Sequence, residues 1–228
     1  MEVSENFTQI TALICEPSRA KILWYLLDGS GYTASELAAF ANLSITSASN
    51  HLSKLLEAGL LKVAHQGRYR YYSFSNAEVA YVVEALAQLA QLKSKRKRMP
   101  SVSTGMKHCR TCYDHLAGTV SIQLVEAMQK KNYLKTEDKQ YSVTKEGWDW
   151  LQQFNIKQSD YENIRRPLTR QCLDWSERRC HLAGQLGADL LKTMLQRKWF
   201  RKVQFSREMI VTAKGRKEIY DLFGVTVS

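Results

Sequence analysis

The chain has 228 residues, enough for one large domain or two smaller ones with a core that needs no disulfide staples. Hydrophobic residues at 44%, charged residues at 24% and only 3 prolines exclude collagen-like, low-complexity and wholly disordered architectures. The net charge of +11 points to a polyanionic partner, with nucleic acid first. No stretch approaches 18 apolar residues, and the opening MEVSENFTQI has no basic region, so neither a membrane span nor a signal peptide is expected. A soluble cytoplasmic protein without a membrane partner is the expectation. The five cysteines are then reduced thiols, suited to metal binding or redox sensing rather than stapling.

Phe7 to Leu27 carries apolar residues at helical spacing, interrupted at Glu16-Pro17, which predicts two helices. Cys15 sits alone on the first and reads as a small buried hydrophobe. Thr33 with Glu36 is a capping-box pair opening a short helix, Ala34 to Ala41. Asn42-Leu43-Ser44 turns the chain into a second helix, about Thr46 to Ala58, stopped by Gly59. Two short helices joined by such a turn make a helix-turn-helix.

The second helix has an apolar face with Ala48, Leu52, Leu55 and Leu56. Ser47, Asn50, His51 and Lys54 form another, with side chains suited to base edges and phosphates. Leu60 to Ala64 and Tyr69 to Phe74 read as strands around a turn at His65-Gln66-Gly67-Arg68. That is a wing with Arg68 and Arg70 near its tip, where phosphates would be met. Asn76 to Leu92 is one more amphipathic helix. Its apolar stripe fits either a second copy or the remainder of the chain.

The segments ALICEPSRAKILWYLLDG, SELAAFANLSITSASNHLSKLLEAGLLK and GRYRYYSFS resemble the ArsR/SmtB family of winged-helix regulators over about residues 5–92. The resemblance implies a homodimeric regulator of transcription on double-stranded DNA, usually a repressor released by an inducer. It places Ser47, Ala48, Asn50 and His51 on the recognition helix and makes the last helix, with the first, the dimer interface. Two metal sites of the family are missing from this sequence. Glu36 to Phe40 has no cysteine, and Asn76 to Leu92 has neither Asp nor His.

Charge is uneven along the chain. Residues 1–92 hold six Lys/Arg against eight Asp/Glu, whereas 93–110 hold seven Lys/Arg and no acid. Residues 93–108 read as a basic linker, either a solvated helix end or an arm on DNA phosphates.

Residues 115–156 and 181–224 repeat each other. His115-Leu116-Ala117-Gly118 recurs as His181-Leu182-Ala183-Gly184, and each unit reads as helix, strand, strand, helix. The expected organisation is a winged helix-turn-helix over 1–92 and a regulatory domain over 109–228. The latter holds two degenerate winged-helix-like repeats, about 109–158 and 172–228. The fold class is mainly α with small β wings (α+β). RTCYDHLAG and CLDWSERRCHLAG resemble motifs of a long-chain ArsR subgroup with an appended C-terminal domain.

The candidate sensing residues are Cys112, Asp114, His115, Cys172, Asp174 and His181. Thiolate, imidazole and carboxylate together suit zinc, cadmium or an arsenic-type ion. Cys109 and Cys112 also have C-x-x-C spacing, which suits a metal or a redox pair. The same residues, with Glu177, Arg178 and Arg179, equally suit a structural ion-pair network. Tyr113, Trp175, Trp148 and Trp150 could line a pocket for an organic effector. No phosphate loop, nucleophile elbow or metalloprotease helix is present, so no enzymatic activity is expected. The alternatives are a DNA-binding or interaction protein that ignores inducers or answers to an organic ligand and, remotely, an enzyme using Cys112, Asp114 and His115 for nucleophilic chemistry.

Overall fold

The computed structural model describes residues 3–93, 104–138, 140–204 and 206–227 and divides into two units, residues 1–97 and 98–228. In the first, α1 (Val3–Cys15) stops where Pro17 withdraws a donor, and α2 (Pro17–Tyr25) begins there. Glu16 caps α2 by accepting from the amides of Ser18 (3.0 Å) and Arg19 (2.8 Å). Arg19 reaches back to donate to the carbonyls of Leu13 and Ala12, which the end of α1 leaves without helical partners. Cys15 is exposed, contrary to the sequence expectation, because its neighbour Ile14 takes the inward position.

The capping box of Thr33 and Glu36 opens α3 (Ala34–Ala41). Asn42 closes it in the left-handed region at φ 58°, where asparagine is well tolerated. Ser44 then caps α4 (Ile45–Glu57), its hydroxyl accepting from the Ser47 amide at 3.1 Å. Ala48, Leu52 and Leu55 of α4 are buried, and α4 packs on α2 and α3.

β1 (Leu61–Gln66) pairs antiparallel with β2 (Tyr69–Phe74), with Gln66 opposite Tyr69. Gly67 and Arg68 alone form the turn, shorter than the sequence suggested, because the ladder takes in His65 and Gln66. Gly67 supplies the positive φ (59°) that such a tight hairpin needs. Tyr32 adds a short third strand by exchanging backbone bonds with Tyr72. Asn76 then accepts from the Val79 amide and starts α5 (Ala77–Lys93).

Of the expected basic linker, residues 94–103 lie outside the described residues. Its ends are helical: Lys93 closes α5, and Thr104–His108 forms α6. Among the described residues no helix is long and apolar enough to cross a membrane.

The second unit runs twice through hairpin, helix, hairpin, helix. The first pass is β3 (Arg110–Cys112), β4 (His115–Ala117), α7 (Thr119–Lys130), β5 (Leu134–Glu137), β6 (Gln140–Val143) and α8 (Lys145–Leu151). The second is β7 (Arg170–Leu173), β8 (Cys180–Ala183), α9 (Gly184–Gln196), β9 (Phe200–Lys202), β10 (Met209–Val211) and α10 (Ala213–Phe223). The leading hairpins β3–β4 and β7–β8 were not foreseen from the sequence, which read each repeat as helix, strand, strand, helix.

Leu124 and Met128 of α7, Leu190 and Met194 of α9, and Trp199 share one core. Trp150 stacks on Tyr133 and meets Phe223 edge-on, so this aromatic belongs to the core rather than to a ligand pocket. Gly147 and Gly215 hold equivalent places. A Cβ on either would lie 2.2 Å from the Tyr133 carbonyl oxygen or 2.1 Å from that of Trp199.

The repeats are interleaved. β3 lies beside β10: the Thr111 amide donates to the Arg207 carbonyl, and the Met209 amide to that of Cys109. β7 lies beside β6: the Tyr141 amide donates to the Thr169 hydroxyl, and the Gln171 side chain to the Gln140 carbonyl. Each leading hairpin thus flanks the other repeat's second hairpin.

Candidate functional site

The helix-turn-helix unit presents an exposed polar edge. Asn50 and Lys54 of α4 are exposed, and Ser47 is half-buried at its capped first turn. His51 is half-buried and turned toward the Glu16 carboxylate at 3.5 Å. Ala48 corrects the sequence reading: it is 0% exposed in the core, so it offers DNA no surface. Arg68 and Arg70 are exposed on the wing, each guanidinium lying over a tyrosine ring, Tyr69 and Tyr72 respectively.

All six candidate sensing residues meet in the second unit. Antiparallel register sets Cys112 opposite His115 in β3–β4 and Cys172 opposite His181 in β7–β8. The interleaving then brings the two hairpins together. The ligand atoms of these four side chains all lie within 4.8 Å of one another. The two sulfurs are 3.8 Å apart and the two imidazole Nε2 atoms 3.2 Å apart. Cys112 and both histidines are buried, and Cys172 is partly so.

The two aspartates stand behind the histidines. Asp114 Oδ1 is 3.2 Å from Nδ1 of His115, and Asp174 Oδ2 is 3.4 Å from Nδ1 of His181. Each carboxylate has its own arginine. Arg166 donates to both oxygens of Asp114 at 2.6 and 3.1 Å. Arg110, itself buried, donates to Asp174 at 2.8 Å and spans the face of Trp175. Asp174 also accepts from the amides of Gly118, Ser176 and Glu177.

These contacts govern protonation. Burial opposes ionisation of Asp174, but His181 and Arg110 outweigh it and hold its carboxyl well below the usual carboxylate range. Asp114 is lowered in the same way against its burial, by His115 and Arg166. Burial disfavours charge on His181, yet Asp174 and Cys112 raise it to about 9. His115 is raised too, the Cys112 charge and Asp114 overcoming burial.

Cys109 stands apart. It is fully buried in the core, where desolvation pushes its thiol up to about 12. The C-x-x-C spacing is therefore not what builds the cluster. The feature that does is Arg-x-Cys followed by His-Leu-Ala, present as Arg110/Cys112/His115 and Arg170/Cys172/His181. Arg166 was not foreseen, because nothing local links it to Asp114.

A helix-turn-helix domain family matches residues 15–64. YdfF of Bacillus subtilis (strain 168), an HTH-type transcriptional regulator, is 39% identical over 215 residues, 94% of this chain and 95% of its own length. CmtR of Mycobacterium tuberculosis, another HTH-type transcriptional regulator, is 37% identical over 79 residues, 35% of this chain and 64% of CmtR. The solved structure of the cadmium metal-sensor CMTR from Mycobacterium tuberculosis aligns at a TM-score of 0.32 and 31% identity. It covers 42% of this chain and 98% of that one. The near full-length match to YdfF shows the family: this chain belongs to the HTH-type transcriptional regulators, a class of regulators rather than enzymes.

Proposed function

We propose that the chain is a homodimeric, sequence-specific DNA-binding repressor whose operator complex is released by an inducer taken up in the second unit. The inducer is a metal or metalloid ion or a thiol-reactive species. One observation carries this reading: six side chains from segments some 60 residues apart converge on one thiol–imidazole–carboxylate cluster, in a unit separate from the DNA-reading one. Soft ions and thiol reagents are what such a donor set captures.

DNA contact rests on the exposed edge of α4 and the wing arginines, which suit base edges and phosphates respectively. Homodimerisation rests on apolar side chains left exposed on α1 and α5, among them Phe7, Ile10, Val82 and Leu89. A second copy that covers them gives two α4 helices, and hence a roughly palindromic operator.

The test is fluorescence anisotropy of the full chain on duplex DNA from upstream of its own gene. The complex is challenged with zinc, cadmium, trivalent arsenic and a thiol oxidant. Release by one of them, lost in Cys112→Ser/Cys172→Ser, is the expected result. A complex that survives every challenge would replace this reading with an inducer-independent or organic-ligand-responsive regulator.

A further inference from the structure

The two histidines face each other through their Nε2 atoms. His115 Nδ1 is hydrogen-bonded to Asp114 at 3.2 Å, which places a proton there and leaves a lone pair on its Nε2; His181 Nδ1 stands 3.4 Å from Asp174 without a hydrogen bond. The two Nε2 atoms lie 3.2 Å apart in a buried site with two sulfurs beside them. A proton between the nitrogens or a metal ion bound to both satisfies such a pair.

The spacing separates these two. A tetrahedral ion with bonds of about 2.3 Å to sulfur sets its two sulfurs about 3.8 Å apart. Bonds of about 2.0–2.1 Å to nitrogen set its two nitrogens about 3.3–3.4 Å apart. The site has 3.8 and 3.2 Å. Without an ion the two distances need two separate causes, a proton between the imidazoles and a thiol–thiol hydrogen bond, whereas one tetrahedral ion accounts for both.

Charge points to the same answer. Two thiolates neutralise one divalent ion, and Arg166 and Arg110 neutralise Asp114 and Asp174. Trivalent arsenic prefers a third thiolate. Cys109 and Cys180 are absent from the set. Magnesium and calcium favour oxygen donors.

We propose that Cys112, His115, Cys172 and His181 form a closed tetrahedral site for one divalent ion of the zinc class, zinc or cadmium, with both imidazoles bound through Nε2. Asp114 and Asp174 are positioning residues that fix the imidazole tautomers. Uptake of the ion expels the protons held at the thiols and between the imidazoles, so affinity rises with pH. The ion ties together two hairpins that the chain separates by about half of this unit. The site stands on its own geometry. Only its effect on DNA rests on the function proposed above.

Cobalt(II) tests it in the reduced, chelator-treated full chain. The expected result is the strong visible d–d absorption of tetrahedral cobalt with a sulfur-to-cobalt charge-transfer band, saturating at one ion per chain and displaced by zinc. Asp114→Asn, at the more exposed carboxylate, is expected to keep that spectrum and weaken zinc binding about 10–100-fold. A weak octahedral spectrum, no uptake, or an unchanged spectrum in Cys112→Ser/Cys172→Ser overturns the site. Because the first of these is read on the wild-type chain, a variant that fails to fold does not decide it. Tetrahedral uptake that leaves DNA affinity unchanged upholds the site and overturns its sensing role. Release of DNA by zinc without the tetrahedral spectrum does the reverse.

Discussion

Polar side chains hold both units together, but over very different distances along the chain. In the first unit, apart from the His51–Glu16 contact, they act locally. Glu16 caps the two amides after Pro17, Thr33 exchanges bonds with Glu36, and Ser44 accepts from Ser47. In the second they act at long range: Arg110 reaches Asp174, Arg166 reaches Asp114, and His115 reaches His181. Caps are each worth about 1 kcal/mol and can be lost singly. A buried ion pair is costly to desolvate and costlier to break, so it is tolerated only when every member is present. The first unit is therefore assembled from separate pieces, and the cluster of the second from one interlocked network.

Arg110→Ala should break that network most severely. It leaves the Asp174 carboxylate buried beside one histidine without its guanidinium, at a cost of about 3–5 kcal/mol. Chemical denaturation followed by tryptophan fluorescence reads this directly, because Trp148, Trp150, Trp175 and Trp199 all belong to the second unit. A midpoint shift worth less than about 1 kcal/mol would put Arg110 on the same footing as a surface pair.

Gly215→Ala probes the repeat rather than the network. Its new methyl would be driven into the Trp199 carbonyl under a Thr212 cap, as that of Gly147→Ala would into Tyr133. Overpacking costs of about 1–3 kcal/mol are expected at both positions, measured in the same way. Equal losses would show that the two repeats carry equal strain. An effect at only one would break the equivalence.

The contrast between local and distant contacts explains what could be read before the fold was known. The capping box, the stop at Pro17 and the wing strands were legible because each is decided within a few residues. The six cluster residues were also legible as a chemical set, since the repeated His-Leu-Ala marks both halves. Their geometry was not. Strands of three or four residues give too short a pattern to register, and the interleaving of β3 with β10 and β7 with β6 leaves no trace in spacing. Ala48 failed for a related reason. Resemblance placed it on the recognition helix, and helical periodicity had already placed it on the apolar face. The periodicity was the better guide.

A smaller effect sharpens the DNA side. Arg70→Ala removes one exposed wing cation, and the logarithmic salt dependence of operator binding should flatten by about one unit of slope. Metal uptake by the second unit should be unchanged. Anisotropy across a salt series checks the first, and cobalt absorption the second. A lost cobalt spectrum would mean that the wing and the metal cluster do not act independently.

The mildest test concerns Glu16, the cap that bears most directly on α4. Burial works against its ionisation, but the amides of Ser18 and Arg19 and the neighbouring His51 prevail, and its pKa is lowered. A carboxyl lowered on folding adds stability that is present above its unfolded value, near 4.5, and is lost as pH falls through the folded value. Glu16→Ala should cost about 1 kcal/mol at neutral pH, and the difference from wild type should vanish below that range. Circular dichroism of thermal unfolding at a series of pH values follows it. A penalty that persists in acid would show that Glu16 acts by packing against His51 rather than as a charged cap. A penalty that fades would confirm that this unit's polar contacts can be titrated one at a time.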